Sequence, residues 1–299
     1  MSLNTNSYVA LGSFDGLHKG HLSLVRKVVE LANEMNGTSV VYTFKNHPRK
    51  FIKSTDSPKL ILDNKEKEEI LKKENVDIVY FEEFTSDFMK LSPEEFINYL
   101  CNKFNVKGIV VGFDYRFGYK NSGDVNLLKK LSEIYNYKLF IMETCIYNEE
   151  TISSTRIRQA LTSGDIEEAN LMLTRPFFIR GKVVHGKKLG RTIGFPTANL
   201  GFNDEIILPK IGVYYTNVLW NNRLYKGITS VGNNPTVNGK KITVETFILD
   251  FNKDIYEEEI TLYFLKFLRN EKKFNSIDKL KNQLEKDAKN AAKENLYAI

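Results

Sequence analysis

The sequence lacks the features that mark disulfide-rich, zinc-binding, membrane-spanning and secreted proteins. Its two cysteines, Cys101 and Cys145, stand far apart in 299 residues, so neither a disulfide framework nor a cysteine zinc site is indicated. No apolar run approaches the roughly 18 residues that a membrane span needs. The first residues also lack the basic and apolar regions of a signal peptide. These absences predict a cytoplasmic protein without a membrane partner.

The excess of one charge sign is also small. The chain has 43 basic and 37 acidic residues, a net charge of +6, and most are lysines and glutamates interleaved along predicted helices. Such a surface suits small anionic substrates as well as RNA. We therefore expect small-molecule substrates and no nucleic-acid partner, while the oligomeric state is left open.

The pattern of strands and helices changes once along the chain. Up to about Thr174, short apolar strands such as YVALGSF and GIVVGFDY alternate with amphipathic helices. This alternation predicts parallel βαβ units in a sheet covered on both faces. Beyond it, short strands separated by Gly, Asn and Asp predict an antiparallel barrel or sandwich. We place the domain boundary near residue 176, between domains 1–176 and 177–299.

The second half ends in a charged segment with helical spacing. It predicts a helix from Ser276 to about Leu296 whose apolar positions Ile277, Leu280 and Leu284 form a narrow docking stripe.

The stretch GSFDGLHKGH, Gly12 to His21, holds two of the four histidines. Gly12 and Gly16 allow a tight turn after the first strand, and Gly20 keeps the start of the next helix clear, with His21 opening that helix. The N–H groups at a helix N-terminus favour an anion. His18 and His21 could then donate hydrogen bonds to phosphate oxygens. The alternative is that one histidine caps the helix while the other packs.

A second group of polar residues lies in ISSTRIR, Ile152 to Arg158. Ser153 and Ser154 are preferred N-cap residues, and Thr155 adds another hydroxyl. Arg156 and Arg158 place guanidinium groups near the predicted helix start, where a triphosphate could be held.

The second half carries HGKKLGRTIGFPTANL, His185 to Leu200. Gly190 and Gly194 predict a loop that a ligand can approach closely, and Pro196 stiffens its end. Thr197 and Asn199 lie on one face if this segment is extended. A hydroxyl and an amide oxygen beside a glycine loop suit Mg²⁺ bound to phosphates. The alternative is a polar loop followed by an edge strand.

Glu245, in TVETFILDF, is the candidate general base. On a strand it shares a face with Phe247 and Leu249, while Val244 and Ile248 are apolar on the other. A carboxylate among apolar neighbours is costly unless it has a partner or a task, and here it could remove a proton from an alcohol. The alternative is a glutamate that pairs with one of the many lysines.

The first-half motifs resemble a known enzyme family. HxGH after a first strand resembles the nucleotidyltransferase superfamily, and GxFDGxHxGH resembles the FMN adenylyltransferase half of bacterial bifunctional riboflavin kinase/FAD synthetases. VGFDYRFG, which Gly123 follows, and ISSTRIR are similar to that family's second and third motifs. The resemblance implies a Rossmann-like domain in which His18 and His21 are catalytic. It implies that ATP and its phosphates are bound by Gly12, Phe14, Asp15, Gly16, Gly20, Ser154, Thr155 and Arg158.

For FMN, the same resemblance implies contacts from Asn46 and His47 in TFKNHP and from Asp114. His47 could equally be a turn residue.

The second-half motif resembles the riboflavin kinase sequence GRxxGxPTANL, and SVGNNPT and LRNEKKF look like further landmarks. The resemblance implies a six-stranded antiparallel β-barrel with a C-terminal helix. It implies Glu245 as catalytic base, Thr197 and Asn199 as Mg²⁺ ligands, and ATP or flavin contacts from Gly181, Lys187, Gly190, Arg191, Gly194, Pro196, Thr197 and Asn199. Leu189 stands where the family often has a basic residue, and Lys187 and Lys188 are near enough to replace it.

The implied chemistry is ATP-dependent phosphorylation of riboflavin to FMN, then transfer of an adenylyl group from ATP to FMN to give FAD and pyrophosphate, both with Mg²⁺. The FMN phosphate is already largely dianionic near pH 7, because its second pKa lies near 6. Two alternatives stay open: a nucleotidyltransferase with another acceptor, such as a cytidylyl- or pantetheine-phosphate adenylyltransferase, and a flavin-sensing or RNA-binding regulator.

Overall fold

The computed structural model describes residues 3–46, 58–186, 189–236 and 239–297. The chain forms two compact units, Met1–Ser154 and Thr155–Ile299. In the described part of the chain, no helix combines the length and the apolar content that crossing a membrane requires.

The first unit alternates strands with helices, as the sequence predicts. The elements follow in the order β1 (Ser7–Leu11), α1 (Lys19–Glu34), β2 (Thr38–Phe44), α2 (Asn64–Lys73), β3 (Ile78–Glu82), α3 (Pro93–Phe104), β4 (Val106–Gly112), α4 (Val125–Tyr135), β5 (Lys138–Met142) and the short hairpin β6 (Ile146–Tyr147) and β7 (Glu150–Thr151).

The sheet of the first unit has five parallel strands in the order β3-β2-β1-β4-β5. Its central strands are buried on both faces, since all five residues of β1 are buried. One face packs on α3 and α4 through a cluster that includes Val9, Val40, Ile97 and Leu128. The order reverses between β1 and β4, which is where ligands bind in open parallel sheets.

The second unit begins with two helices and continues as strands. Its elements are α5 (Ser154–Ser163), which starts at the last residue of the first unit, α6 (Ile166–Leu173), β8 (Phe177–Val184), the single turn α7 (Leu189–Thr192), β9 (Thr197–Gly201), β10 (Gly212–Trp220), β11 (Arg223–Thr236), β12 (Gly239–Ile248), β13 (Glu259–Arg269) and α8 (Ile277–Lys293).

The six strands of the second unit form a closed antiparallel barrel in the order β10-β11-β12-β9-β8-β13. Asn221 and Asn222 form the two-residue turn between β10 and β11, and their positive φ angles of 47° and 58° match the preference of asparagine for such turns. The predicted fold class, an α/β domain followed by a six-stranded barrel with a C-terminal helix, is confirmed.

Helix α8 docks mainly through the predicted face, on which Leu280 and Leu284 are partly buried. Ser276 caps it, as expected, but Ile277 is 62% exposed. The buried positions are Asp287 and Ala291. Arg269, at the end of β13, donates to both oxygens of the Asp287 carboxylate, with the Nη2–Oδ2 contact at 2.7 Å. An ion pair with β13 therefore continues the docking face that Leu280 and Leu284 begin.

Candidate active sites

Two loops of the first unit lie at the edge of its sheet where a ligand is expected to bind. The loop from Gly12 to His18 leaves the carboxyl end of β1, and the segment that begins at Phe113 leaves the carboxyl end of β4. These neighbouring strands flank the point where the strand order reverses. The first and second sequence motifs therefore lie together at this edge of the sheet.

The loop after β1 has an unusual backbone. Phe14, Gly16 and Leu17 have φ angles of 49°, 84° and 45°, and the side chains of Phe14 and Leu17 are fully buried. Bulky residues in the left-handed region cost about 1–2 kcal/mol each, so the surrounding contacts must impose this conformation. Such strain is typical of binding loops. A methyl group on Gly16 would also lie 3.1 Å from Ile61, which explains the need for glycine there.

The two imidazoles of the first motif lie face to face. The ring centroids of His18 and His21 are 3.6 Å apart, with 19° between the planes. The helix begins at Lys19, two residues earlier than predicted, because His18 is its N-cap and its Nδ1 accepts a hydrogen bond of 3.3 Å from the His21 backbone N–H. Since Nδ1 accepts, the neutral ring of His18 carries its proton on Nε2. The capping alternative is thus observed, and it leaves a ring N–H as a donor.

His21 is held in its neutral form. Burial lowers the pKa of its imidazole well below 6.5, and the nearby His18 ring and Lys67 ammonium lower it further. Its Nδ1 is buried without a hydrogen-bond partner among the described residues. At pH 7 the ring is therefore a neutral hydrogen-bonding group and not a cation.

The third motif meets the first through the start of α5. The hydroxyl of Ser154 donates to the backbone carbonyl of Asp15 at 2.8 Å. The carboxylate of Asp15 is buried and accepts the backbone N–H of Ile61 at 3.0 Å, so it fixes the loop. Thr155 and Arg158 follow Ser154 on α5 and share one side of that helix, being three residues apart.

Arg156 forms an ion pair with the next helix. Its Nη2 donates to the Glu168 carboxylate of α6 at 2.7 Å, and its side chain is only 14% exposed. This arginine joins α5 to α6, unlike Thr155 and Arg158, and its expected contact with a triphosphate stays a prediction. Helix spacing explains the difference, because Arg156 lies on another side of α5 from Thr155 and Arg158.

Two of the three residues predicted to contact FMN, Asn46 and Asp114, lie within the described residues. Asn46 pairs with the backbone of Phe84 in both directions, at 3.0 Å and 2.8 Å, so its amide fixes the segment after β2 to the segment after β3. Asp114 is exposed in the segment after β4. His47 lies outside the described residues.

The second site lies on the outer face of the barrel. Thr197 pairs with Phe247, and Asn199 pairs with Glu245, in the antiparallel register of β9 and β12. Directly opposed residues project to the same face with Cβ atoms about 4.5–5.5 Å apart. Thr246, which pairs with Ala198, points into the barrel and is fully buried. The register therefore places the candidate base beside the two candidate metal ligands.

The loop that leads into β9 is a compact turn. The Gly190 carbonyl accepts the N–H of Phe195 at 2.9 Å, and a methyl group on Gly190 would lie 2.1 Å from the Phe195 carbonyl oxygen. Gly194 has a φ angle of 85°. The Phe195 ring meets the Phe247 ring edge-on at 5.0 Å, just before Pro196. The turn therefore packs on the barrel face that carries Glu245.

Three further predicted contacts lie on or beside this loop. Gly181, in β8, packs against β9, and a methyl group there would lie 1.8 Å from the Gly201 carbonyl oxygen. This close strand approach accounts for the glycine. Lys187 lies outside the described residues, and the Arg191 side chain does too, although its backbone belongs to α7.

The donor set of this face consists of oxygen atoms. Thr197 offers a hydroxyl, Asn199 an amide oxygen and Glu245 a carboxylate, and such hard donors suit Mg²⁺. Over the described ranges, no group of three or more His, Cys, Asp or Glu forms a metal site. These residues therefore fit a cation that shares its coordination with phosphate and water.

The structure adds a second carboxylate that sequence reasoning did not single out. A methyl group on Gly232 would lie 2.6 Å from Oε1 of Glu271, so this carboxylate sits against the backbone of β11. Gly232 shares its strand face with Ser230, which pairs with Glu245. Glu271 belongs to LRNEKKF, and only the folded barrel shows that this segment lies over the same face.

Replacing Gly186 with alanine should displace the Asn199 amide and impair the barrel site. The added methyl group would lie 2.2 Å from Nδ2 and 2.5 Å from Cγ of Asn199, so the amide must move. We expect about a 100-fold loss of the phosphorylation that the sequence resemblance implies for the barrel, with the reaction that it implies for the first unit unchanged. Glu259→Gln is the control, because it changes an exposed residue of the same barrel. Equal losses in both variants would contradict this role for Gly186.

Two family models match the chain. The model described as FAD synthetase matches residues 1–156, which contain the parallel sheet. The model described as riboflavin kinase matches residues 173–295, which contain the barrel and α8.

Curated relatives match the chain over almost its whole length. Three proteins named bifunctional riboflavin kinase/FMN adenylyltransferase come from Listeria monocytogenes, Bacillus subtilis and Escherichia coli K12. They are 37%, 36% and 35% identical to this chain; the matches cover 94%, 95% and 93% of this chain and 90%, 91% and 90% of the relatives. A crystal structure of a protein described as a macrolide-efflux protein from Streptococcus pneumoniae is also similar. It has a TM-score of 0.91 and 38% identity, covering 99% of this chain and 96% of that one.

Proposed function

The chain belongs to the bifunctional riboflavin kinase/FMN adenylyltransferase family, and on that premise we propose which residues carry each of its two reactions. It phosphorylates riboflavin with ATP to give FMN, and it transfers an adenylyl group from ATP to FMN to give FAD and pyrophosphate. The alternatives of another acceptor or of a regulator are not favoured, because both family models match.

One observation carries the assignment of residues. The chain holds two chemically different sets of side chains, each within its own unit. The stacked pair His18 and His21 lies at the sheet edge of the first unit. Glu245 lies opposite Asn199 on the barrel of the second. The first set offers hydrogen-bond donors without a base, and the second offers a base beside oxygen ligands.

Adenylyl transfer needs charge stabilisation and little proton removal. A phosphate oxygen of FMN attacks the α-phosphorus of ATP, and the bond to the β-phosphate oxygen breaks to release pyrophosphate. The attacking phosphate is already ionised at neutral pH. The Nε2–H of His18 and the neutral ring of His21 would donate to the phosphate oxygens as charge shifts between them. The rest of the ATP site would come from Gly12, Phe14, Asp15, Gly16, Gly20, Ser154, Thr155 and Arg158, and the FMN site from Asn46, His47 and Asp114.

Riboflavin phosphorylation needs a base because its nucleophile is a neutral alcohol. Glu245 would accept the proton of the 5′-hydroxyl as that oxygen bonds to the γ-phosphorus of ATP and ADP leaves. The register beside Asn199 supports this role. The loop of Gly190, Arg191, Gly194 and Pro196, with Lys187 and Gly181, would complete the nucleotide and flavin contacts.

Mg²⁺ is the metal that this oxygen-rich face fits. Thr197 and Asn199 would hold it together with the ATP phosphates. When bound, the ion would neutralise charge on the transferred phosphoryl group. The side chains themselves position the nucleotide and carry the proton.

Two further proposals concern the whole chain. We assign residues 1–176 to adenylyl transfer and 177–299 to phosphorylation, which keeps ISSTRIR and α5 with the first reaction. The two cysteines are free thiols, which supports a reducing compartment such as the cytoplasm.

Incubating the protein with riboflavin, ATP and Mg²⁺ tests the proposal. We expect chromatography to show FMN and FAD, with one ADP per flavin phosphorylated and one pyrophosphate per FAD. Chelation of divalent cations by EDTA should stop both reactions, and excess Mg²⁺ should restore them. Undiminished FMN formation in EDTA would contradict the role of Thr197 and Asn199, and the absence of any FMN would contradict the proposed function.

A further inference from the structure

Lys67 is a buried lysine directly behind the loop of the first motif. It lies on α2 and is only 4% exposed. Its ammonium donates to the backbone carbonyl of Ser13 at 3.0 Å, and the same carbonyl accepts the Thr43 hydroxyl at 2.9 Å. Ser13 begins the strained loop that leads to His18. The ammonium therefore anchors this loop to α2.

Burying this ammonium costs free energy, because the charged group loses its hydration. Its hydrogen-bond partner in the described structure is a carbonyl and not a carboxylate. Two carboxylates face it, Asp15 from the loop and Asp63 from the start of α2. Asp15 accepts the Ile61 N–H, and Asp63 accepts the Glu66 N–H as the cap of α2, so each has a hydrogen-bonding task of its own.

The remaining surroundings place the ammonium near the imidazoles. The Phe81 ring of β3 lies 6.0 Å from it. On the side of α1 it faces His21, and its charge adds, after burial and the His18 ring, to the lowering of the pKa of that imidazole. The charge thus acts on the loop and on one of the two proposed phosphate-binding histidines.

We propose that Lys67 is a positioning residue for adenylyl transfer, whose buried ammonium holds the Ser13 carbonyl and supplies positive charge beneath the phosphate-binding loop. This inference rests on the proposed function of the first site. The charge stabilises a loop conformation that would otherwise relax, and it favours the neutral, hydrogen-bonding form of His21. It also supplies positive potential where the phosphates of ATP and FMN would accumulate negative charge.

The geometry predicts a pH dependence. Burial lowers the pKa of Lys67 to about 8, although the charges of Asp15 and Asp63 oppose the shift. The ammonium is therefore charged at pH 7 and loses its proton as the pH rises through about 8. The other titratable groups that face it are these two carboxylates and His21, whose pKa is lowered well below 6.5. The rate of adenylyl transfer should therefore decline above about pH 8, because Lys67 loses its positive charge there.

The test measures FMN adenylylation from pH 6.5 to 9.5 in wild type, Lys67→Met, Lys67→Gln and Lys67→Arg. We expect Lys67→Met to lower kcat about 10- to 100-fold and to lose the decline near pH 8. Lys67→Gln, which keeps a donor without charge, should also lose the decline. Lys67→Arg should recover part of the rate and move the decline beyond the measured range, because arginine stays protonated.

Two controls separate this inference from its premise. Riboflavin phosphorylation by the same samples should stay at the wild-type rate, which shows that the barrel is intact, and an unchanged far-ultraviolet circular dichroism spectrum should show that the first unit is folded. Lys72→Met removes a lysine from the same helix whose side chain is 64% exposed. It should leave the rate and the pH profile of adenylylation unchanged. A wild-type pH profile in both Lys67→Met and Lys67→Gln, or a Lys67→Met rate within about twofold of wild type, would overturn the role of Lys67. Failure of the wild type to form FAD would instead overturn the proposed function.

Discussion

Riboflavin phosphorylation should fall about 100- to 10,000-fold when Glu245 is replaced by glutamine, because this range is typical for the loss of a general base. Glutamine keeps the size of the side chain and its position opposite Asn199. It cannot accept the proton of the 5′-hydroxyl at neutral pH. The same protein should still convert supplied FMN to FAD at the wild-type rate, because adenylyl transfer uses a different unit.

The control for this variant is Glu259→Gln, which changes an exposed carboxylate at the start of β13 in the same barrel. It should phosphorylate riboflavin normally. Trp220 is the chain's single tryptophan and lies on β10, so its fluorescence reports the folding of the barrel alone. Substantial phosphorylation by Glu245→Gln, with native Trp220 fluorescence, would show that another group removes the proton.

Replacing His18 with asparagine should reduce FMN adenylylation about 100- to 1,000-fold, the usual effect of removing one donor to a charged transition state. Asparagine is a preferred N-cap residue, so its amide oxygen can replace Nδ1 as acceptor of the His21 N–H. The cap survives, and the ring N–H and the stacking with His21 are lost. The variant therefore separates capping from chemistry.

His18→Ala provides the comparison, since it removes both the cap and the ring. Losing the cap alone costs about 1 kcal/mol of stability, so His18→Ala should unfold at lower temperature than His18→Asn. Both variants should show the same low rate of FAD formation and normal riboflavin phosphorylation. If His18→Asn makes FAD at the wild-type rate, His18 only caps α1.

The sequence predicted the fold well because its local signals agree with the tertiary structure. The buried strands of the first unit read as continuous apolar runs, and the barrel strands are separated by turn residues such as Asn221 and Asn222. The start of α1 was misplaced by two residues for a physical reason. Histidine is not among the usual N-cap residues, so the cap at His18 could not be recognised.

The relative placement of Glu245, Thr197 and Asn199 was less predictable. Alternation along each strand indicated which residues share a face, but the register of β9 on β12 depends on closure of the barrel. The alternative that β9 is an edge strand is wrong, because β12 and β8 pair with it on its two sides.

Other contacts lay beyond sequence reasoning altogether. Lys67 belongs to NKEKEEILKK, in which seven of the ten residues are lysine or glutamate, as is typical of a solvated helix face. Nothing in this pattern marks one lysine as buried. Its burial depends on where α2 lies against the loop from Ser13. Likewise, the anchoring of α8 by Asp287 depends on the position of Arg269 at the end of β13.

The central claim is that one chain houses two independent reactions, and mixing two inactive variants tests it most directly. Glu245→Gln and His18→Asn are each incubated with riboflavin, ATP and Mg²⁺, alone and together, and the flavins are separated by chromatography. We predict that Glu245→Gln alone leaves riboflavin unchanged, that His18→Asn alone accumulates FMN, and that the mixture forms FAD. A His18→Asn sample that accumulates no FMN, or a mixture that forms no FAD although FMN accumulates, would contradict the account.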